Sequence, residues 1–131
     1  MALASLFGGL ALANAGLGAV HGFAAPLGGM YVAPHGALCA ALLPHVMTVN
    51  ERELQRLGGS CTLQRFDEVR RIVGDLVELN RSLGVKPLRE LGVRRAEFPV
   101  IIEKATAASS MKGNPVQLTP AQLGEILELA W

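Results

Sequence analysis

The chain has 131 residues, half of them hydrophobic, and its 12 basic and 11 acidic side chains leave a formal net charge of +1. This length suits one domain, and a near-neutral charge without a basic stripe excludes nucleic acid as the expected partner. Cys39 and Cys61 lack a close pairing motif, which is typical of free thiols in a reducing compartment, so a cytoplasmic location is predicted.

Every charged side chain lies beyond residue 50, because Glu51 is the first Asp, Glu, Lys or Arg. No positive start precedes the apolar run, so a secretory signal is not indicated. Residues 1–20 are long enough to cross a membrane, but Ala and Gly dominate them, Ser5 and Asn14 interrupt them, and no basic flank orients them. We therefore expect a helix buried on all sides inside a larger protein, in preference to a membrane span.

The uncharged half predicts two helices and a loop. Residues 2–24 are rich in Ala and Leu and predict the first helix, and the Gly and Pro residues of 25–34 predict a loop. A second helix is expected from His35 to about Val49, kinked or divided at Pro44. Residues 54–60 are interpreted as a weak connector that ends in two glycines.

The charged half is amphipathic. Apolar residues from Phe66 onward recur at helical spacing and predict one helix, which Gly84 and Pro87 end. A short turn, PLRELGV, precedes a further helix expected over Phe98 to about Ser109.

The last helix has the clearest start. Thr119 as N-cap, Pro120 at the first helical position and Gln122 at the third form a capping-box pattern. No segment favours a strand and no repeat is found, so an all-α helical bundle is predicted.

All three histidines lie in the uncharged half, and His21 and His35 are separated by fourteen positions around the Gly and Pro cluster. In one straight helix these two would lie about 21 Å apart, too far to share an ion. A chain reversal between them would let two imidazoles converge on a divalent cation. The alternative is that both are core or capping histidines, and two ligands alone do not complete a site. His45 is interpreted as structural.

The segment GLGAVHGFAAPLGGMYVAPHGALCAALLPHVMTVN resembles the signature of the iron-containing (group III) alcohol dehydrogenases, in which GLGxxH is followed by PLG and then by PHGxxxAxLLPxVxxxN. The resemblance extends to ASLFGGLALANA before it and, more weakly, to the C-terminal AASSMKGNPVQLTPAQLGEILELA. It therefore covers essentially the whole chain and is strongest over the first 50 residues.

The resemblance implies the helical C-terminal domain of the dehydroquinate synthase-like fold, with Fe(II), or in some members Zn(II), beneath the nicotinamide of NAD or NADP. His21 and His35 match two metal ligands of the family. The other two ligands, an Asp and a His, and the Rossmann-like cofactor domain would lie upstream. Residues 1–131 are thus expected to form one truncated helical domain, with the absent N-terminal domain or a second copy covering residues 1–50.

The implied activity is hydride transfer between a small alcohol or aldehyde and NAD(P), assisted by the metal. Many members have a second histidine four residues after the first, where this chain has Ala25, so substrate recognition or proton transfer must use another group or water. Gly22 and Gly36 are expected to allow close backbone approach. Phe23 and Tyr31 are candidates for the substrate pocket, although core packing is the favoured role for both.

Two other classes stay open. One is a truncated or split protein without catalysis, or a partner subunit, that docks through its apolar N-terminal helices. The other is a small membrane protein anchored by residues 1–24. The 131-residue chain alone is expected to be inactive as a dehydrogenase.

Overall fold

The computed structural model describes residues 2–131, apart from the side chain of Ala4, and throughout this range the regular structure is helical. The α-helices in chain order are α1 (Ala2–Ala15), α2 (Ala19–Met30), α3 (His35–Leu57), α4 (Ser60–Val73), α5 (Leu76–Ser82), α6 (Phe98–Ala107) and α7 (Pro120–Ala130). Short 3-10 turns occur at Arg95–Glu97 and Ser109–Gly113. The prediction of an all-α fold is confirmed.

The hydrophobic core lies among α2, α3, α6 and α7. Helix α2 packs on both α3 and α6, and α7 packs on α3 and α6 from the other side. Each large side chain buried there stabilises the fold by roughly 1.5–3 kcal/mol. The largest side chains with less than 2% exposure are Phe23, Leu27, Val49, Leu38, Leu42, Leu88, Ile101, Leu123, Ile126 and Leu127.

The prediction of one helix over residues 2–24 is wrong, because the chain breaks at Gly16. This residue has φ +72°, a left-handed conformation that glycine adopts without steric cost, and its N–H bonds the carbonyl of Leu12 to close α1. The axes of α1 and α2 then differ by 98°. Helix α2 turns into the core, where Ala19 is 1% exposed.

Helix α1 is not covered by the described part of this chain, so the expectation that a larger protein buries it stays a prediction. Five of its large apolar side chains are at least half exposed, namely Leu3, Leu6, Phe7, Leu10 and Leu12. Among the described residues no single helix is long and apolar enough to cross a membrane. The bent pair of Ser5–Ala15 with Ala19–Met30 reaches the required length and composition only when the two helices are taken together.

The predicted loop over residues 25–34 is shorter than expected. Helix α2 continues through Pro26 to Met30, so the chain reverses only over residues 31–34. Proline cannot donate the backbone hydrogen bond of its turn. Side-chain burial compensates for this missing hydrogen bond, since Phe23 and Leu27, on either side of Pro26, are fully buried in the core.

Helix α3 is longer than predicted and is not divided at Pro44. It reaches Leu57, so the predicted connector over residues 54–60 is wrong for its first half. The last turns of α3 contain charged residues, but they still have one buried face, which consists of Asn50, Glu53 and Leu54 at helical spacing. Gly58, with φ +75°, then ends the helix, beyond the predicted end near Val49.

The single helix predicted from Phe66 is two helices, and the start of α4 lies earlier, at Ser60. Gly74 ends α4 with φ +75° and ψ −153°, and Asp75 begins α5 by accepting a hydrogen bond from the Glu78 N–H at 2.8 Å.

The two remaining helix predictions hold. Helix α6 ends at Ala107, within two residues of the predicted Ser109, and the capping box of Thr119 and Gln122 is present at the start of α7.

Candidate metal centre

The two histidines predicted to converge do lie together. Their ring centroids are 5.4 Å apart and the ring planes are inclined by 45°. His21 is half-buried near the start of α2, and His35 is the exposed first residue of α3.

The approach differs from the expected one, because His21 lies near the start of α2 and not near its end. Residues 31–34 connect α2 to α3, with Tyr31 (φ −131°, ψ 146°) and Pro34 (φ −60°, ψ 131°) extended. Between them the N–H of Ala33 donates to the carbonyl of Tyr31 at 3.0 Å, which makes a tight turn at Val32. After this turn His35 begins α3 next to His21.

A third donor completes the cluster. Cys39 lies one helical turn after His35 on α3, and its Sγ is 3.4 Å from Nε2 of His35. One donor atom each from His21, His35 and Cys39 all lie within 4.8 Å of one another. Sequence reasoning treated Cys39 only as a free thiol, although the i, i+4 spacing from a candidate ligand histidine was a signal that could have found it.

The cluster fits a divalent cation of borderline softness. Zinc, with bonds of about 2.0–2.1 Å to nitrogen and about 2.3 Å to sulfur, places tetrahedral donors about 3.3–3.6 Å apart. The contact of 3.4 Å between Cys39 and His35 has that separation. The donor atom of His21 lies within 4.8 Å of the other two.

An apolar groove opens beside the cluster, with a volume of about 580 Å³. His21 and Cys39 lie on its wall together with Leu43, Asn50 and Phe66. No charged residue lines it, and burial raises the pKa of the Cys39 thiol. The groove can therefore accept a small organic molecule next to the three donor atoms.

His45 lies apart from this cluster, in a different groove between α3 and α5 with Val77 and Arg81 on its walls. Burial lowers the pKa of His45, so the imidazole is neutral at physiological pH. Its position agrees with the structural role predicted for it.

The small residues near the two histidines have different surroundings. A Cβ added to Gly22 would lie 2.6 Å from Cε of Met111, so this glycine admits a packed side chain. Among the described residues nothing lies within 4 Å of a Cβ added to Gly36, so the expected close approach there is not found. Ala25 is exposed one turn after His21 on α2.

The pocket candidates Phe23 and Tyr31 have structural roles, as favoured. Phe23 is fully buried in the core. The hydroxyl of Tyr31 donates a hydrogen bond to the carboxylate of Glu97, which ties the end of α2 to the 3-10 turn before α6.

Comparison with known proteins places all of residues 1–131 within the family model described as Fe-containing alcohol dehydrogenase family, C-terminal. The chain is 34% identical over 149 aligned positions to lactaldehyde reductase of Escherichia coli (strain K12), covering 100% of this chain and 37% of that protein. It is 36% identical over 141 positions to 1,3-propanediol dehydrogenase of Citrobacter freundii, covering 100% and 36%.

Among solved structures, a 1,3-propanediol oxidoreductase matches with a TM-score of 0.78 and 31% identity, over 98% of this chain and 36% of the other. The chain thus spans little more than a third of the length of these relatives.

Proposed function

We propose, because this chain belongs to the iron-containing alcohol dehydrogenase family, that it supplies the helical part of the metal and substrate site of an NAD(P)-dependent alcohol dehydrogenase. The observation that carries the proposal is the convergence of His21 and His35, with ring centroids 5.4 Å apart beside an apolar groove. The reaction class is oxidation of a small alcohol, or reduction of the corresponding aldehyde. Hydride passes to or from the nicotinamide, and a proton passes to or from solvent.

The chain's own groups have two tasks in this reaction. The imidazoles of His21 and His35 would hold the cation, and the apolar walls around Leu43 and Phe66 would contact the carbon atoms of the substrate. A divalent cation, Fe(II) or Zn(II), when bound there lowers the pKa of an alcohol oxygen and polarises a carbonyl. No imidazole stands at position 25, so proton transfer uses water or another group.

Cation binding by the purified chain tests the assignment of the two histidines. Calorimetric titration with Fe(II) under anaerobic conditions should give one site, and His21→Ala and His35→Ala should each weaken it by at least about tenfold. The matched control is His45→Ala, which removes an imidazole outside the cluster and should leave the affinity unchanged. Equal binding by all four proteins would contradict the assignment.

Dehydrogenase activity is proposed to need more than residues 1–131. The chain spans 36% to 37% of the relatives, so we propose that an upstream portion supplies the nicotinamide site and the remaining metal ligands. Residues 1–131 alone should show no turnover of 1,2-propanediol, 1,3-propanediol or ethanol with NAD or NADP. Any measurable turnover would contradict this division of labour.

The same upstream portion is proposed to cover residues 1–50, with a second copy of the chain as the alternative. The exposed leucines of α1 support this, because a contiguous apolar surface in water favours association. In analytical ultracentrifugation the isolated chain should self-associate, and the double variant Leu6→Gln with Leu10→Gln should shift it towards monomer. A wild-type chain that stays monomeric at tens of micromolar would count against an interaction surface on α1.

The non-catalytic alternative, a subunit that docks through these helices, rests on the same exposed face of α1. It predicts the same self-association but no cation affinity. The titration with Fe(II) therefore separates the two functions.

A further inference from the structure

We propose that Cys39 is a third protein ligand of the cation, so that this chain holds the ion with two imidazoles and one thiolate. The inference rests on the proposed metal site and adds a donor to it. Its starting point is the position of Cys39 Sγ, 3.4 Å from His35 Nε2 and in a cluster that includes His21.

The backbone geometry already suits joint binding. Residues four apart on a helix present their side chains on the same side, one above the other. His35 and Cys39 have this relation on α3, and His21 faces them from α2. The rigid helix therefore holds two donors in register, and a change of side-chain rotamer brings the third to them.

Donor chemistry supplies the second argument. Within the described part of the chain Cys39 is the one sulfur donor of this cluster, and a thiolate together with imidazoles is a common ligand combination for Zn(II). Residues 1–50 contain no Asp or Glu, so within this segment no carboxylate competes with the thiolate as a ligand.

The thiolate also predicts which metals bind. Sulfur donors favour soft and borderline ions such as Co(II), Zn(II) and Cd(II) over hard ions such as Mg(II). With Cys39 as a ligand, the site should prefer Zn(II) or Cd(II) over Mg(II) by a larger ratio of affinities than a site made of two imidazoles alone.

Cobalt is the probe that tests the ligand directly. Co(II) is titrated anaerobically into the full 131-residue chain, where visible bands report tetrahedral binding and a near-ultraviolet charge-transfer band reports a sulfur ligand. Wild type should show both. Cys39→Ser should lose the near-ultraviolet band and bind Co(II) at least about tenfold more weakly. The matched control is Cys61→Ser, on the exposed face of α4, which should behave as wild type.

A second measurement needs no variant. Zn(II) should protect Cys39 of the wild-type chain from alkylation by iodoacetamide, as followed by mass spectrometry, while Cys61 reacts at an unchanged rate. Equal alkylation of Cys39 with and without Zn(II) would overturn the proposal even if the serine variant fails to fold.

The outcomes separate this inference from the proposed function. Visible bands without a near-ultraviolet band would overturn the role of Cys39 and leave the two histidines as ligands. Absence of both bands in the folded wild-type chain would overturn the metal site and this inference with it.

Discussion

Two reciprocal hydrogen bonds join the side-chain amides of Asn50 and Asn114, although 64 positions separate these residues in the chain. The amide of Asn50 donates to Oδ1 of Asn114 at 3.0 Å, and the amide of Asn114 donates back at 2.7 Å. Oδ1 of Asn114 also accepts a hydrogen bond from the backbone N–H of Ala19 at 3.1 Å. The side-chain NH2 group of Asn114 donates to the carbonyl of Val116 as well. This pair therefore ties α3 to the start of α2, two residues before His21.

Removal of this connection should cost stability and cation affinity together. Asn114→Ala leaves the 3%-exposed Asn50 without its partner and the N–H of Ala19 without an acceptor. A buried polar group left unpaired costs about 1–3 kcal/mol, so urea denaturation should show a loss of that size, and Co(II) should bind more weakly.

Asn14→Ala is the control for this variant. Asn14 is exposed on α1 and donates only to the Leu10 carbonyl of its own helix. Its replacement should change the free energy of unfolding by less than about 0.5 kcal/mol. Equal effects of the two variants would contradict the role given to Asn114.

Gly113 should tolerate no side chain. A Cβ added there would lie 2.0 Å from the carbonyl oxygen of Leu17, and backbone cannot move aside as a flexible side chain can. Gly113→Ala should therefore lower the free energy of unfolding by about 3 kcal/mol. Gly29→Ala is the opposite case, since nothing lies within 4 Å of the added Cβ in α2, and it should stabilise by about 0.5–1 kcal/mol. If thermal unfolding gave Gly113→Ala and Gly29→Ala similar losses of stability, the close approach of Gly113 to Leu17 would be contradicted.

Acid should weaken the link between α2 and α6. Hydrogen bonds from Arg94 and then from Tyr31 lower the pKa of Glu97 below its ordinary value of 4.5. The unfolded chain thus binds a proton more readily at this carboxylate, so its stabilising contribution is present above pH 4.5 and is lost as pH falls through the lower folded pKa.

The melting temperature of Glu97→Gln should accordingly fall less between pH 6 and pH 3 than that of wild type, with Tyr31→Phe in between. Some acid sensitivity should remain in both variants. Arg52 donates two hydrogen bonds of 2.7 Å to Glu125 and lowers the pKa of that carboxyl as well. If the melting temperatures of wild type and Glu97→Gln changed identically with pH, Glu97 would not contribute to the acid sensitivity of the fold.

Leu27 should carry much of the stability of the helix beyond Pro26. It is fully buried, so Leu27→Ala should lower the free energy of unfolding by about 2–5 kcal/mol. Leu129→Ala, at a position that is 50% exposed on α7, deletes the same atoms from the surface and should cost much less. Comparable denaturation midpoints for the two variants would indicate that Leu27 is not part of the core.

Local signals were predicted well because they depend on neighbours in the chain. The capping box at Thr119 needs only the residue three positions later, and Gly84 stops α5 through its own backbone freedom. The loop predicted around Pro26 and the division predicted at Pro44 were wrong. Proline weakens an isolated helix, but in this fold buried residues on both sides of each proline keep the helix intact.

The sequence by itself determined the helical class, the family and the pair of histidines, since composition, periodicity and a specific motif all lie in the order of residues. The tertiary structure alone decided the bend of 98° between α1 and α2, the tight turn at Val32 between α2 and α3, and the approach of Cys39 to His21. The bend combines the left-handed conformation of Gly16 with the packing of α2 into the core. The packing of α2 against α3, which the local sequence does not specify, placed a thiol beside the two imidazoles.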